Sequence, residues 1–139
     1  MGNLLFDTSS IIQALKLRRP EILYGNHTQH LAIYEALNAL WKETLLTRSL
    51  TPQEARILAE ILSEILENMG IHTIHPYEAE VLAEAVELGL TAYDASYVVI
   101  ARRNGFTLVT EDRRLRDKAG DAVEVTSVEE LLRHWPASP

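Results

Sequence analysis

The 139-residue chain contains no cysteine. That excludes a disulfide framework, a thiolate metal site and a cysteine nucleophile, and it fits a reducing compartment. Long apolar runs are missing too. None approaches the roughly 18 residues of a membrane-spanning helix, and the opening MGNLLFDTSS lacks the basic-then-apolar build of a secretory signal. The expectation is a cytoplasmic protein without membrane association. Net positive charge is also absent. At −7, the formal charge has the wrong sign for coating nucleic acid by bulk attraction, but it is compatible with an enzyme that meets phosphate at one cleft. There is no internal repeat and no low-complexity segment. The 47% of apolar residues argues against disorder. The length suits one domain with a real core and is short for two. That domain is expected to span 1–134, with 135–139 as a fraying tail.

What is present is an alternation of short apolar runs with helical periodicity. Leu4–Phe6 reads as a buried strand that feeds a helix from Ser9 to Leu17. A second strand is expected over His27–Leu31. A helix follows from Ala32 to Leu46, with Ile33, Leu37, Leu40, Trp41 and Leu45 on one broad face. Thr51-Pro52-Gln53-Glu54 has the form of a capping box opening a helix to about Asn68, ended by Gly70. Ile71–His75 reads as a strand. Tyr77–Leu88 reads as a helix with Ala79, Leu82, Ala85 and Val86 inward and Glu78, Glu80, Glu84 and Glu87 solvated. The stretch TAYDASYVVIARRNGFTLVTEDRRL, Thr91–Leu115, reads as a helix apolar on most sides, a glycine turn, a strand over Thr107–Thr110 and another helix. A last strand, Val123–Val125, precedes a final helix. Strands alternating with helices argue an α/β domain with a mainly parallel sheet and helices on both faces. The helical pair Ala32–Asn68 is expected at one edge of it.

Four acids stand where such a fold gathers ligands, at the carboxyl ends of strands. Asp7 follows the first strand, Asp112 lies two residues past a later one, Asp94 opens a helix, and Glu35 sits on the early helical pair. Each has a plainer reading as well. Asp7, Asp94 or Asp112 can serve as a helix cap, and Glu35 can be a boundary residue whose head reaches water. Together, four converging carboxylates require a cation or retained protons. Hard oxygen donors without a convincing histidine set suit Mg²⁺ or Mn²⁺. His27, His72 and His75 match no compact ligand spacing and are read as structural or surface residues.

The order FDTSSII, YEALNALW and TAYDASYVVIARRNGFTLVTEDRRL resembles the PIN domain. It is most similar to the small single-domain members that act as toxins of the VapC type in prokaryotic toxin–antitoxin pairs. The similarity runs from Leu4 to about Leu132, and its most specific part is the D-A-x-Y-V-x-x-A helix followed by L-V-T-x-D. The resemblance implies a metal-dependent ribonuclease using Mg²⁺ or Mn²⁺, a homodimer, and inhibition by a small antitoxin. It implies that Asp7, Glu35, Asp94 and Asp112 hold the metal and carry catalysis, that Asn38 neighbours the glutamate, and that Ser9 and Thr110 are small hydroxyl residues lining the site. Arg102, Arg103, Arg113, Arg114, Arg116 and Lys118 are candidates to hold the RNA backbone. Their alternative is a solvated helix face paired with glutamates.

Other readings remain open at this point. A phosphotransfer domain also uses a strand-end aspartate with Mg²⁺. The phosphatase version needs an acid where Ser9 stands, and a receiver needs an acidic pair and a late lysine that cannot be placed. An RNA-processing nuclease outside any toxin system is another alternative. So is a non-catalytic metal-binding module, for which the helical pair and Trp41 would supply an interface.

Overall fold

The computed structural model describes residues 2–136. In order, the elements are β1 (Leu4–Phe6), α1 (Thr8–Lys16), β2 (His27–Gln29), α2 (His30–Leu45), α3 (Pro52–Glu67) and β3 (Gly70–His72). They continue with α4 (Glu78–Leu88), α5 (Ala92–Asn104), β4 (Thr107–Val109), α6 (Arg113–Ala119), β5 (Val125–Thr126) and α7 (Val128–Arg133). The strands form one sheet in the order β3-β2-β1-β4-β5, and every pairing is parallel. Parallel neighbours cannot be joined by hairpins, so helical crossovers cover both faces.

Register decides which residues meet on each face. Leu5 pairs with Leu108, and both enter a core with Val81, Ala85, Val98, Leu115 and Ala119. One residue on, Phe6 pairs with Val109. These turn to the other face and pack with Ile11, Ala36, Leu62, Ile65 and Val128. The result is the three-layer α/β arrangement expected from the alternation. Within it, α5 is the central helix, buried continuously from Ala95 to Ala101. Glycines close the two helices of that layer in left-handed conformation, Gly89 at φ 66° and Gly105 at φ 69°. The capping box of α3 forms as expected: Thr51 accepts from the Glu54 backbone, and the Glu54 carboxylate accepts from the Thr51 backbone.

Two helices are turned differently from the sequence reading. In α2 the buried residues are Ala32 and Ala36, while Tyr34, Leu37, Trp41 and Leu45 are exposed. Small alanines let α2 approach its neighbours closely, and the bulky residues are left outside. In α4 the inward residues are Val81 and Ala85, while Ala79, Leu82 and Val86 face out. Glu80 and Glu84 are correspondingly not a solvated row. Glu80 Oε1 and Glu84 Oε1 accept from Arg102 at 3.0 and 2.9 Å, and Glu80 Oε2 accepts from Arg103 Nε at 2.7 Å. These cross-helix ion pairs accompany the packing of Val81 and Ala85 against α5. The helical pair α2–α3 joins the layer over Phe6 and Val109 instead of standing apart at an edge. The last strand begins two residues later than expected, at Val125. Trp135, in the expected tail, packs against the core; 137–139 fall outside the described residues. No helix among the described residues is long and apolar enough to cross a membrane.

Candidate functional site

The strand order reverses at β1, with β2 on one side and β4 on the other, and such a switch point opens a crevice at the carboxyl ends of the strands. Asp7 stands there, one residue past β1. It caps α1: Oδ1 accepts from the Ser10 backbone at 2.9 Å and from Ser9 Oγ at 2.7 Å. Its other oxygen accepts from Thr110 Oγ1 in a short contact. Burial pushes the Asp7 carboxyl above its ordinary range, and these hydrogen bonds pull it back in part.

Ser9 and Thr110 also join the two strand ends. Ser9 Oγ accepts from the Glu111 backbone at 3.0 Å, and Thr110 Oγ1 accepts from the Asp112 backbone at 3.1 Å. The same hydroxyls that hold Asp7 therefore shape the loop that carries Asp112. Asp112 caps α6, with Oδ1 accepting from the Arg114 and Leu115 backbones at 2.9 and 3.2 Å. Ser10 adds a clamp from α1 to β4, its hydroxyl donating to the Val109 carbonyl at 2.7 Å.

Asp94 lies in the first turn of α5, whose cap is Thr91. Desolvation raises its carboxyl, and the charges of Asp112 and Glu35 raise it further, against a smaller opposing effect of Arg114. Glu35 comes from α2. Its Oε1 accepts from Thr8 Oγ1 at 2.8 Å and from Tyr97 Oη at 3.5 Å. Burial, the largest influence, pushes the Tyr97 phenol up, as do the nearby charges of Glu35 and Asp7.

These side chains line one open cleft of about 380 Å³, which holds Asp7, Ser9, Glu35, Asn38, Asp94 and Asp112 together with Thr8, Lys42 and Tyr97. The capping and cleft readings thus coexist. Asp7 and Asp112 are helix caps that also face the cleft, Asp94 is not the cap of its helix, and Glu35 caps nothing. Among the described residues, no three histidine, aspartate or glutamate side chains close into a preformed ion cage. The donor chemistry still suits a hard cation. Four carboxylates share the cleft, and Asp94 is raised by its neighbours, so a divalent charge would relieve the repulsion.

The arginine candidates divide. Arg102 and Arg103 sit at the far end of α5 from Asp94, committed to Glu80 and Glu84, with Arg103 stacked 3.8 Å above the Tyr77 ring. They do not line the cleft. Arg113 and Arg116 border a separate depression beside Asp117. Arg114 and Lys118 reach the Gly89 carbonyl at 3.4 and 2.8 Å, where cations favour the C-terminus of α4. Of the arginines, Arg114 is the one whose charge is felt at Asp94. His27 and His72 bond to each other at 3.0 Å, and His75 pairs with Glu78, so the histidines serve structure. Sequence reading passed over Thr8, Lys42 and Tyr97. The signals were there: Thr8 follows Asp7, Tyr97 is one helical turn past Asp94, and Lys42 is two turns past Glu35.

The family model for the PIN domain matches residues 4–121 of this chain. The chain belongs to the PIN domain family. Two curated relatives come from Pyrobaculum aerophilum. One, named exonuclease VapC9, is 46% identical over 101 residues, covering 71% of each chain. The other, named ribonuclease VapC3, is 37% identical over 92 residues, covering 66% of this chain and 70% of the relative. Among solved structures, PAE2754 from the same organism superposes with a TM-score of 0.80 at 34% identity, covering 94% of this chain and 93% of the other. FitAcB from Neisseria gonorrhoeae shares the fold at a TM-score of 0.58 and 18% identity, covering 88% and 95%.

Proposed function

We propose that this PIN domain is a VapC-type ribonuclease that hydrolyses RNA phosphodiester bonds internally and serves as the toxin of a toxin–antitoxin pair. The observation that carries the reading is the joining of Asp7, Glu35, Asp94 and Asp112 in one cleft at the switch point of a PIN fold. The relatives' names, VapC exonuclease and VapC ribonuclease, support it. These four acids would hold Mg²⁺ or Mn²⁺. When bound, such an ion supplies Lewis acidity and an acidified water for phosphodiester hydrolysis. The chain's own residues do the rest. Ser9 and Thr110 fix Asp7 and the Asp112 loop, Asn38 and Lys42 line the path of the substrate, and Arg114 moderates the charge at Asp94.

The partner reading is a homodimer with a cognate antitoxin, acting in the cytoplasm. Two features support it. The bulky residues of α2 and α4 are exposed, with Val86 at 77%. An apolar groove of about 340 Å³, lined by Ile12, Leu15, Ala39, Leu40, Leu58 and Leu62, adjoins the acidic cleft. A cleavage assay distinguishes this reading from a non-catalytic metal-binding module.

Structured, single-stranded and circular RNAs are incubated with the wild-type chain in Mg²⁺, Mn²⁺ or EDTA, alongside Asp94→Asn. Cleavage is expected with either ion, not with EDTA, and not with the variant. Cutting of the circular RNA identifies internal cleavage; degradation of linear RNA alone would replace the proposed mode with an exonuclease. Undiminished cleavage by Asp94→Asn would remove the cleft from the mechanism.

A further inference from the structure

Three of the cleft acids are placed by their position in the chain. Asp7 and Asp112 cap helices, and Asp94 lies in the first turn of α5 behind its Thr91 cap. Short side chains at helix starts have few conformations. Glu35 has no such constraint. It lies mid-helix on α2, which buries only Ala32 and Ala36. It is exposed, and a glutamate has more rotamer freedom to lose than an aspartate. Its charge and that of Asp94 also repel each other. Left to itself, the Glu35 carboxylate would swing into water.

Two hydroxyls oppose that. Thr8 Oγ1 donates to Glu35 Oε1 at 2.8 Å, Tyr97 Oη donates to the same oxygen at 3.5 Å, and the hydroxyls lie 3.5 Å apart. Thr8 is the residue after Asp7, and Tyr97 is one turn after Asp94, so the contact ties Glu35 to the supports of two other acids. Tyr97 is 2% exposed, and its ring is wedged in the core of the α4–α5 layer. Its hydroxyl is therefore delivered from a rigid base. Both donors use Oε1, which leaves Oε2 for a ligand.

Resting on the ribonuclease reading above, we propose that Thr8 and Tyr97 are positioning residues that hold Glu35 in place beside the other three acids. They act through Glu35 and contact neither ion nor RNA. Thr8 has the larger share because its bond is the shorter. Residues that orient ligand side chains in this way typically change metal affinity by about 10–100-fold.

The test uses the full chain and two readouts, Mn²⁺ affinity by calorimetry and RNA cleavage, in a cycle with Glu35→Gln. Thr8→Val is expected to weaken Mn²⁺ binding by about tenfold and Tyr97→Phe to weaken it by less, each with a matching loss of cleavage. Thr8→Ser, which keeps the donor, is expected to behave as wild type. In the Glu35→Gln background, Thr8→Val and Tyr97→Phe are expected to add less than a twofold change. Wild-type affinity in the Thr8→Val/Tyr97→Phe double variant would overturn the proposal. So would an undiminished effect of either substitution in the Glu35→Gln background, because the hydroxyls would then act elsewhere. A wild-type chain that binds no Mn²⁺ would instead overturn the metal reading on which the proposal rests.

Discussion

Replacing Asp94 with asparagine should abolish cleavage and make the metal-free protein more stable. The two effects have one cause. The Asp94 carboxyl is half-buried, and it is raised first by desolvation and then by the charges of Asp112 and Glu35. A raised carboxyl means that the native state keeps its proton at pH values where the unfolded chain has lost it. Stability from this group is therefore full below its ordinary value of 3.8 and is lost as pH rises through the folded value. At pH 7 the folded protein bears the whole penalty, and asparagine removes it. Two exposed neighbours repel the half-buried Asp94 by about 0.5–1 kcal/mol each before salt screening. Against that, the N-terminus of α5 stabilises a negative charge by about 0.3–1 kcal/mol. The balance is a gain of about 1 kcal/mol, or about 3–4 °C in melting temperature for a chain of this size. Thermal unfolding in EDTA at pH 7 and at pH 3.5 checks it. The gain should be present at the higher pH and absent at the lower, and 1 M salt should shrink it. Mn²⁺ should stabilise the wild type by about 2.7 kcal/mol at a hundredfold excess over Kd, raising its melting temperature, and stabilise the variant much less. A variant that is less stable at pH 7 in EDTA, with the wild-type response to Mn²⁺, would refute the reasoning. Asp94 would then be an ordinary helix-start residue.

Arg102→Ala should lower stability by about 0.5–1 kcal/mol through its lost ion pairs and leave RNA cleavage unchanged, as read by thermal melts beside the cleavage assay. Leu82→Glu should leave the secondary structure seen by circular dichroism intact, because Leu82 is 63% exposed on the chain, whereas Val81→Glu should prevent folding. Burial and the neighbouring His27 push His72 below its ordinary value. Its contribution is therefore full above 6.5 and is lost as pH falls through that value toward the lower folded one. Urea midpoints between pH 8 and 5 should fall on acidification, and His72→Gln should flatten the fall.

Much of this molecule is local and was readable locally. Thr51 and Glu54 form their capping box because both partners lie within one turn. Gly105 ends α5 because a left-handed residue is required there. The continuous apolar run Tyr97–Ala101 marks a helix surrounded on every side. The acids were found because strand ends and helix starts have recognisable composition, and three of the four stand at such places. Residues whose role depends on another element were not readable in this way. Arg102 and Arg103 follow the Asp94 motif closely in sequence and looked like RNA contacts, but two further turns of helix carry them to the opposite end, where Glu80 and Glu84 take their charge. Leu82 and Val86 belong to a periodic pattern that fits two phases of α4, and packing of Val81 and Ala85 against α5, with the cross-helix ion pairs beside it, selects between them.

The sequence by itself determined that strands alternate with helices, about where each element lies, and that four acids stand at strand ends, at helix starts and on the early helical pair. Backbone propensity, caps and apolar periodicity act within a few residues, so a linear reading reaches them. Tertiary structure decided what those acids meet. Strand order β3-β2-β1-β4-β5 places the ends of β1 and β4 side by side, which lets Thr110 donate to Asp7 across 103 positions of chain. Packing α2 through its alanines brings Glu35 to Thr8 and Tyr97. Hydrogen bonds and charge repulsion depend on distances of a few ångströms, and only the folded chain sets those distances between residues far apart in sequence.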